Sequence, residues 1–183
     1  MHFDYQTDRL YLKVLNDTHA DQSLCFYRDG AEVFNLYEPP KAPNFYTEDY
    51  QEALLRGEYE GFLSGNYIRY YLFRKEEPDR IIGTVSFSGF QKGAYKSCIL
   101  GYKLLPAYWH CGYATEAIGR LVSALFSEDK YHRIEAFTLA DNTASIALLE
   151  RLGFSFEGVA HSIIRLKDGY TDHNRYYLIN PMD

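Results

Sequence analysis

The sequence predicts an α+β fold, and three observations predict it. Apolar patterns of period two and period 3.6 follow one another in the order strand, two helices, three strands, helix, strand, helix, two strands. The three middle strands are joined by short turn sequences, as in a meander. One helix is entered from a strand through a tight loop that carries a proline at its start and a glycine at its end. A chain of 183 residues fits one domain, residues 1–183, able to bury a sizeable core without metals or disulfides.

The elements follow in order. Leu10, Leu12 and Val14 alternate with Tyr11 and Lys13, which predicts a half-buried strand over Leu10–Leu15. Asn16 or Asp17 caps a helix to about Arg28, and Asp29-Gly30 ends it. Leu36 to Pro43 reads as an irregular loop because Pro39, Pro40 and Pro43 forbid a regular helix. Thr47 caps the next helix, to about Tyr59, with Glu48 and Asp49 in the first turn where the helix dipole favours carboxylates. Strand-like runs at Ile68–Arg74, Ile81–Phe90 and Lys96–Leu104 are joined by the turn sequences Glu76–Asp79 and Gln91–Ala94. After Gly112, the apolar residues Ala114, Ala117, Ile118, Leu121, Val122 and Leu125 recur at helical spacing. Arg133–Leu139 is a buried strand, and Asn142 opens the next helix. Phe154–Ile164 and Asn174–Ile179 close the chain as a hairpin around Lys167–Tyr170.

Composition excludes several classes of function. Three cysteines, Cys25, Cys98 and Cys111, are an odd number with no Cys-x-x-Cys spacing, so neither a disulfide framework nor a zinc site is expected. No apolar run reaches the roughly 18 residues that span a bilayer, and Met1-His2-Phe3-Asp4 lacks the basic and apolar regions of a signal peptide. The expectation is therefore a cytoplasmic protein without membrane contact. A net charge of -6 argues against nucleic acid and favours basic acceptors such as polyamines or Lys/Arg-rich protein tails. It leaves a phosphorylated cofactor open, because loop amides act at contact distance.

The stretch Leu100–Ala117 carries the functional signal. A tight turn feeding a helix N-terminus leaves backbone N–H groups unpaired and adds the helix dipole, which together make a phosphate site. A nucleotide-binding loop ending in Gly-Lys-Ser/Thr is absent from the chain, and Gly-x-Gly-x-x-Gly is not met by the lone Gly112.

With Gly112 and Ala114 at its two small positions, the loop resembles the Gln/Arg-x-x-Gly-x-Gly/Ala pyrophosphate loop of the GCN5-related N-acetyltransferases (GNAT). The flanking Gly101-Tyr102, Leu105-Pro106-x-Tyr108-Trp109 and Gly112-Tyr113-Ala114-Thr115-Glu116-Ala117 resemble the ribosomal-protein N-terminal acetyltransferase (RimJ/RimL-like) branch. Asn142-Thr143-Ala144-Ser145 through Leu152-Gly153-Phe154, and the tail from Asp168-Gly169-Tyr170 to Leu178, extend the likeness over roughly Thr7 to Ile179.

That resemblance implies a mixed, mostly antiparallel seven-stranded sheet with two splayed parallel strands and about four flanking helices. It implies acetyl-CoA as cosubstrate, with backbone contacts from Tyr102, Lys103 and Leu104. Phosphate contacts come from the amides of Trp109, His110, Cys111, Gly112, Tyr113, Ala114 and Thr115, and a side-chain contact from Asn142. No metal is implied. The acceptor is a primary amine, a protein N-terminus or a small amine, attacked directly in a ternary complex. The Leu36–Pro43 loop and the following helix wall the acceptor site, where Glu38 is a candidate to hold the amine. Branch members are often dimers, which leaves a homodimer open.

Catalysis needs a deprotonated amine, an oxyanion site and a donor for the departing thiolate. Many relatives use a tyrosine seven residues after the asparagine, where this chain has Leu149, so the donor expected from the branch is Ser145. No base is assigned: Ile99 replaces a frequent glutamate, Glu135 is a substitute if burial raises its pKa, and Asp172 and His173 lie in the closing hairpin. A pairing of Glu135 with Arg133 or Arg151 is the alternative. His110 stands where the branch usually has glycine, so a positive φ there carries a steric cost. Cys111 stands where a basic residue is common, and its oxidation would block cofactor entry. These departures motivate a second reading, a catalytically weak acyl-CoA-binding or sensing module.

Overall fold

A computed structural model describes residues 1–183. It is built on an eight-stranded sheet with the order β1-β2-β3-β4-β5-β6-β8-β7. The strands are β1 (Asp4–Gln6), β2 (Leu10–Lys13), β3 (Ile68–Arg74), β4 (Glu77–Gln91), β5 (Ser97–Leu104), β6 (Arg133–Thr138), β7 (Ser155–Leu166) and β8 (Gly169–Ile179). Only β5 and β6 pair in parallel. The expected count of seven is corrected by β1, an edge strand of three residues that is too short to show a period.

Five α-helices flank the sheet rather than about four: α1 (Ala20–Asp29), α2 (Ala31–Tyr37), α3 (Glu48–Ser64), α4 (Tyr113–Ser127) and α5 (Thr143–Arg151). Asn16 caps a 3-10 turn that leads into α1, its side chain accepting from the Thr18 N–H. Gly30 does end α1, but it also starts α2, so Leu36 and Tyr37 are helical and irregular chain begins only at Glu38. A Cβ on Gly30 would meet the Phe34 ring at 2.1 Å, so this elbow closes only on glycine. Thr47 caps α3 as expected, and Gly65 ends it at φ 67 in the left-handed region.

The sheet carries a separate apolar cluster on each face. On one side Ile118, Leu121 and Leu125 of α4 and Leu149 of α5 meet Leu12, Tyr70, Leu72, Val85, Phe87, Leu100 and Ile134. Spacing of three and four residues puts the α4 residues on one stripe. Burying each such side chain stabilises the fold by roughly 2 kcal/mol, so Leu121→Ala would break this layer first. On the other side Phe26 and Tyr27 of α1, Phe34 of α2, Phe45 and Leu55 pack against Tyr71, Phe73 and Ile81.

The parallel pair positions the site. Pairing between β5 and β6 runs from Ser97↔Arg133 to Leu100↔Ala136 and stops there, although β5 continues to Leu104 and β6 to Thr138. The two strands therefore open a gap beginning at Gly101. Alternation sends Tyr102 to the α4/α5 face, and Ile99 and Lys103 to the α1–α3 face.

Candidate active site

The loop after β5 is a helix start with its donors left open. The Trp109 N–H, expected among the phosphate donors, instead donates to the Pro106 carbonyl at 3.1 Å because the 3-10 turn from Pro106 closes on it, and the Trp109 indole donates to the Leu104 carbonyl at 2.9 Å, fixing the loop to the end of the strand. The next backbone N–H with a protein acceptor is that of Glu116, to Gly112 at 3.1 Å. Between them the amides of His110, Cys111, Gly112, Tyr113, Ala114 and Thr115 have no partner in the protein. Gly112 caps α4 at φ 81, with no side-chain cap, and His110 has φ 59. Two left-handed residues around Cys111 turn successive N–H groups into one concavity, a nest suited to an anion. The steric cost expected at His110 is therefore present, about 1 kcal/mol.

Arg9 holds this loop from the β1–β2 turn. Its Nη1 donates to the Cys111 carbonyl at 3.0 Å, its Nε donates to Glu116 Oε2 at 2.7 Å, and its guanidinium stacks over the Tyr113 ring at 4.5 Å. Glu116 Oε1 also accepts from the Thr7 hydroxyl and the Arg9 N–H. Burial pushes the Glu116 carboxyl up, but these donors outweigh it and hold the group below the usual range. The basic side chain missing at position 111 thus has a counterpart 102 residues earlier in the chain. Cys111 itself is exposed, its thiol 3.4 Å from the Trp109 carbonyl.

Two hydroxyls meet beside the gap. Asn142 caps α5, its Oδ1 accepting from the Ser145 N–H at 3.1 Å, and this turns the Ser145 hydroxyl to within 2.6 Å of the Tyr102 hydroxyl. Burial pushes the Tyr102 phenol up to about 12, so it stays protonated at neutral pH. Leu149, at the position where a tyrosine would serve as donor, is fully buried in the core.

The opposite face of the gap is lined by ion pairs among aromatic rings. Glu38, the first residue past α2, binds both Lys103 of β5 and Lys41 of its own loop. Burial pushes the Glu38 carboxyl up, and the two ammonium groups more than reverse this, Lys103 foremost. Burial and the charge of Arg69 bring Lys103 down to about 8 against the pull of Glu38. Lys103 lies over the Tyr27 ring at 4.6 Å and the Phe34 ring at 5.2 Å, and Lys41 over Phe45 at 5.0 Å. Nearby, Glu58 takes Arg69 at 2.5 Å and the Tyr71 hydroxyl at 2.9 Å.

Further along this face Ile99 stands level with Glu135 of β6. A cavity of about 350 Å³ opens there, lined by Ile99, Tyr95, Arg133, Glu135 and Arg175. Glu135 does not have the raised pKa expected from burial alone. Burial pushes its carboxyl up, but Arg175 at 2.6 Å and Arg133 at 2.8 Å hold it low, so it is a poor proton acceptor. Its partners are Arg133 and Arg175, not Arg151. Asp172 is exposed and bound to the His161 ring and the Ser162 N–H, each at 2.8 Å, whereas His173 is buried.

The described frame matches known proteins over nearly its full length. Residues 9–155 match the model of the acetyltransferase (GNAT) domain. The probable N-acetyltransferase YjcK of Bacillus subtilis is 30% identical over 95% of this chain and 96% of its own. The chain belongs to the GNAT acetyltransferase family. The [ribosomal protein uS5]-alanine N-acetyltransferase of Escherichia coli is 27% identical over 96% of this chain and 90% of its own. The fold agrees with a solved ribosomal-protein-S5-alanine acetyltransferase from Vibrio fischeri at a TM-score of 0.91, with 22% identity and 98% of each chain covered.

Within this GNAT frame the residues chosen from the sequence fall into three groups. The loop from Trp109 to Thr115, the β5 segment Tyr102–Leu104, and Asn142 with Ser145 surround one gap on the α4/α5 side. Glu38 and the Lys103 side chain lie on the other side. Glu135 and His173 lie further along, committed to other contacts or buried. Arg9, Glu116 and the side-chain role of Tyr102 carried no local signal, because each depends on a partner at least 43 residues away.

Proposed function

We propose that this enzyme moves the acetyl group of acetyl-CoA to a primary amine by direct attack in a ternary complex. The observation that carries the reading is the run of partnerless amides from His110 to Thr115 at the N-terminus of α4. In an exposed loop such a run is left to solvent, and its converging donors at a helix N-terminus suit an anion such as a diphosphate. The other expected positions fit the cofactor in part. Backbone groups of Tyr102 and the Leu104 N–H face the side where β6 has turned away and can pair with an amide-bearing arm, whereas those of Lys103, expected to do the same, turn to Thr84 of β4, and the Leu104 carbonyl already accepts from the Trp109 indole. Asn142 is committed at Oδ1 and keeps its amide N–H groups for the cofactor.

Ser145 and Tyr102 act as one hydroxyl pair toward the departing sulfur. A thiol has a pKa of about 8.5, so full proton transfer from a phenol near 12 is uphill by roughly 5 kcal/mol. The pair therefore stabilises developing thiolate charge by hydrogen bonding, and solvent completes the transfer. Acceptors include a protein N-terminus, as the name of the E. coli relative suggests, and small amines. The work is done in the cytoplasm, in keeping with three unpaired cysteines.

Calorimetry with acetyl-CoA, followed by thiol release across amines and N-terminal peptides, tests this. Saturable binding with acceptor-dependent thiol release is expected. Absence of binding, or binding without turnover on any acceptor, overturns it.

A further inference from the structure

The acceptor side of the gap holds an ammonium site that is already filled by the chain itself. Lys103 stands three residues past Leu100, where pairing with β6 ends, and points to the face opposite α4 and α5. Glu38 pairs with it on that face, the side an acceptor must use if the cofactor loop lies at α4. One carboxylate and the rings of Tyr27, Phe34 and Phe45 surround two ammonium groups, a chemistry selective for organic cations.

The two ammonium groups are held differently. The two side chains are almost equally covered, 14% exposed for Lys103 and 18% for Lys41, but Lys103 extends from a central strand whose backbone is paired on β4. Lys41 is only three residues from Glu38, on the stretch between α2 and α3 that has neither helix nor strand and contains Pro39, Pro40 and Pro43. A swing of one side chain frees its place on the carboxylate. A substrate ammonium then replaces like with like, so Glu38 is never left buried without a partner. The other carboxylates on this face offer no such exchange: Glu58 is held by Arg69 and Tyr71, and Glu135 by Arg133 and Arg175.

We infer that Glu38 anchors a second, non-reacting ammonium of the acceptor, and that Lys41 occupies this anchor until the acceptor arrives. The anchored group is not the one acetylated. Attack needs a free lone pair, whereas a carboxylate held in its charged form keeps a proton on the amine it binds. The acceptor class is an amine carrying a second cation, either a free diamine or a peptide N-terminus followed by lysine. The chain's net charge of -6 draws such molecules in. The inference rests on the acetyltransferase reading above.

The test compares 1,5-diaminopentane with pentylamine, and an Ala-Lys peptide with its Ala-Leu counterpart, at saturating acetyl-CoA on the full chain. Wild type is expected to favour the dication in at least one pair by about tenfold in kcat/KM, the value of one charge-assisted contact. Which pair shows it separates the free diamine from the peptide. Lys41→Met keeps the Glu38–Lys103 pair and should lower KM for the dication about threefold or more, with the KM for the monocation and for acetyl-CoA unchanged. Glu38→Gln should erase the preference, and Glu38→Asp should retain part of it. Equal kcat/KM for dication and monocation in wild type overturns the inference, as does an unchanged dication KM in Lys41→Met or an intact preference in Glu38→Gln. Failure to bind acetyl-CoA would sink the underlying reading instead; binding and turnover without cation preference sinks this one alone.

Discussion

Replacing Arg9 by alanine tests whether a residue outside the loop sets the loop's affinity. The side chain contributes a partly exposed ion pair to Glu116, worth about 0.5 kcal/mol. Its hydrogen bond to the Cys111 carbonyl is worth about 1 kcal/mol. Stacking on Tyr113 adds about 0.5 kcal/mol. The total of about 2 kcal/mol lowers Tm by roughly 4–8 °C for a chain of this length. Because the carbonyl it holds lies between His110 and Gly112, most of that energy also fixes the direction of the open amides. Calorimetry should find acetyl-CoA binding weakened about tenfold, and kinetics a raised KM with kcat nearly unchanged. Arg9→Lys keeps the charge without the fork and should recover part of the affinity. A lowered Tm with acetyl-CoA affinity within about twofold of wild type would refute the reasoning, leaving Arg9 a strut and nothing more.

Tyr102→Phe and Ser145→Ala should each lower kcat about tenfold, and the double variant little further, since the hydroxyls act as a pair; simple multiplication of the two losses would show that they act separately. His110→Gly relieves the left-handed strain and should raise Tm by about 2 °C, a fall being the contrary result. Alkylation should reach Cys25 and Cys111 but not buried Cys98, with saturating acetyl-CoA shielding Cys111 alone; equal labelling of Cys111 with and without cosubstrate would place the diphosphate elsewhere. Glu38, Glu116 and Glu135 all have folded pKa values below the usual 4.5, so the unfolded chain binds protons first as acid is added. Their stabilisation is complete above that value and lost below it, so urea midpoints should hold from neutral pH to about 5 and then fall, less steeply in Glu135→Gln.

Elements with long periodic patterns were legible in the sequence. α4 shows its apolar stripe plainly, and Thr47 and Asn142 announce the starts of α3 and α5 by their side chains. What escaped was short or displaced. The seven residues of α2 hide behind Gly30, because a glycine that ends one helix gives no sign that it begins another. The hairpin of β7 and β8 is longer than its alternation suggests, since bulges between Phe156 and Gly158 and between Ala160 and Ile164 interrupt the period. Strand β4 begins at Glu77 and runs through Pro78, beside irregular pairing with β3 where no ladder N–H is required of it. The loop before α4 was readable because its open donors are backbone groups and contiguous. The contacts of Arg9 with Cys111 and of Glu38 with Lys103 were not, since each joins segments far apart in the chain.

The two clusters that sandwich the sheet are unequal, 24 buried residues beneath α4 and α5 against 11 beneath α1, α2 and α3. Local opening follows the sparser packing, so the flank of α1, α2 and α3 should breathe and exchange amide hydrogens well before the flank of α4 and α5. Substitutions on that flank should leave the loop before α4 and its open amides in place. The molecule is accordingly two half-independent layers on one sheet, and one of them can be rebuilt without unseating the other.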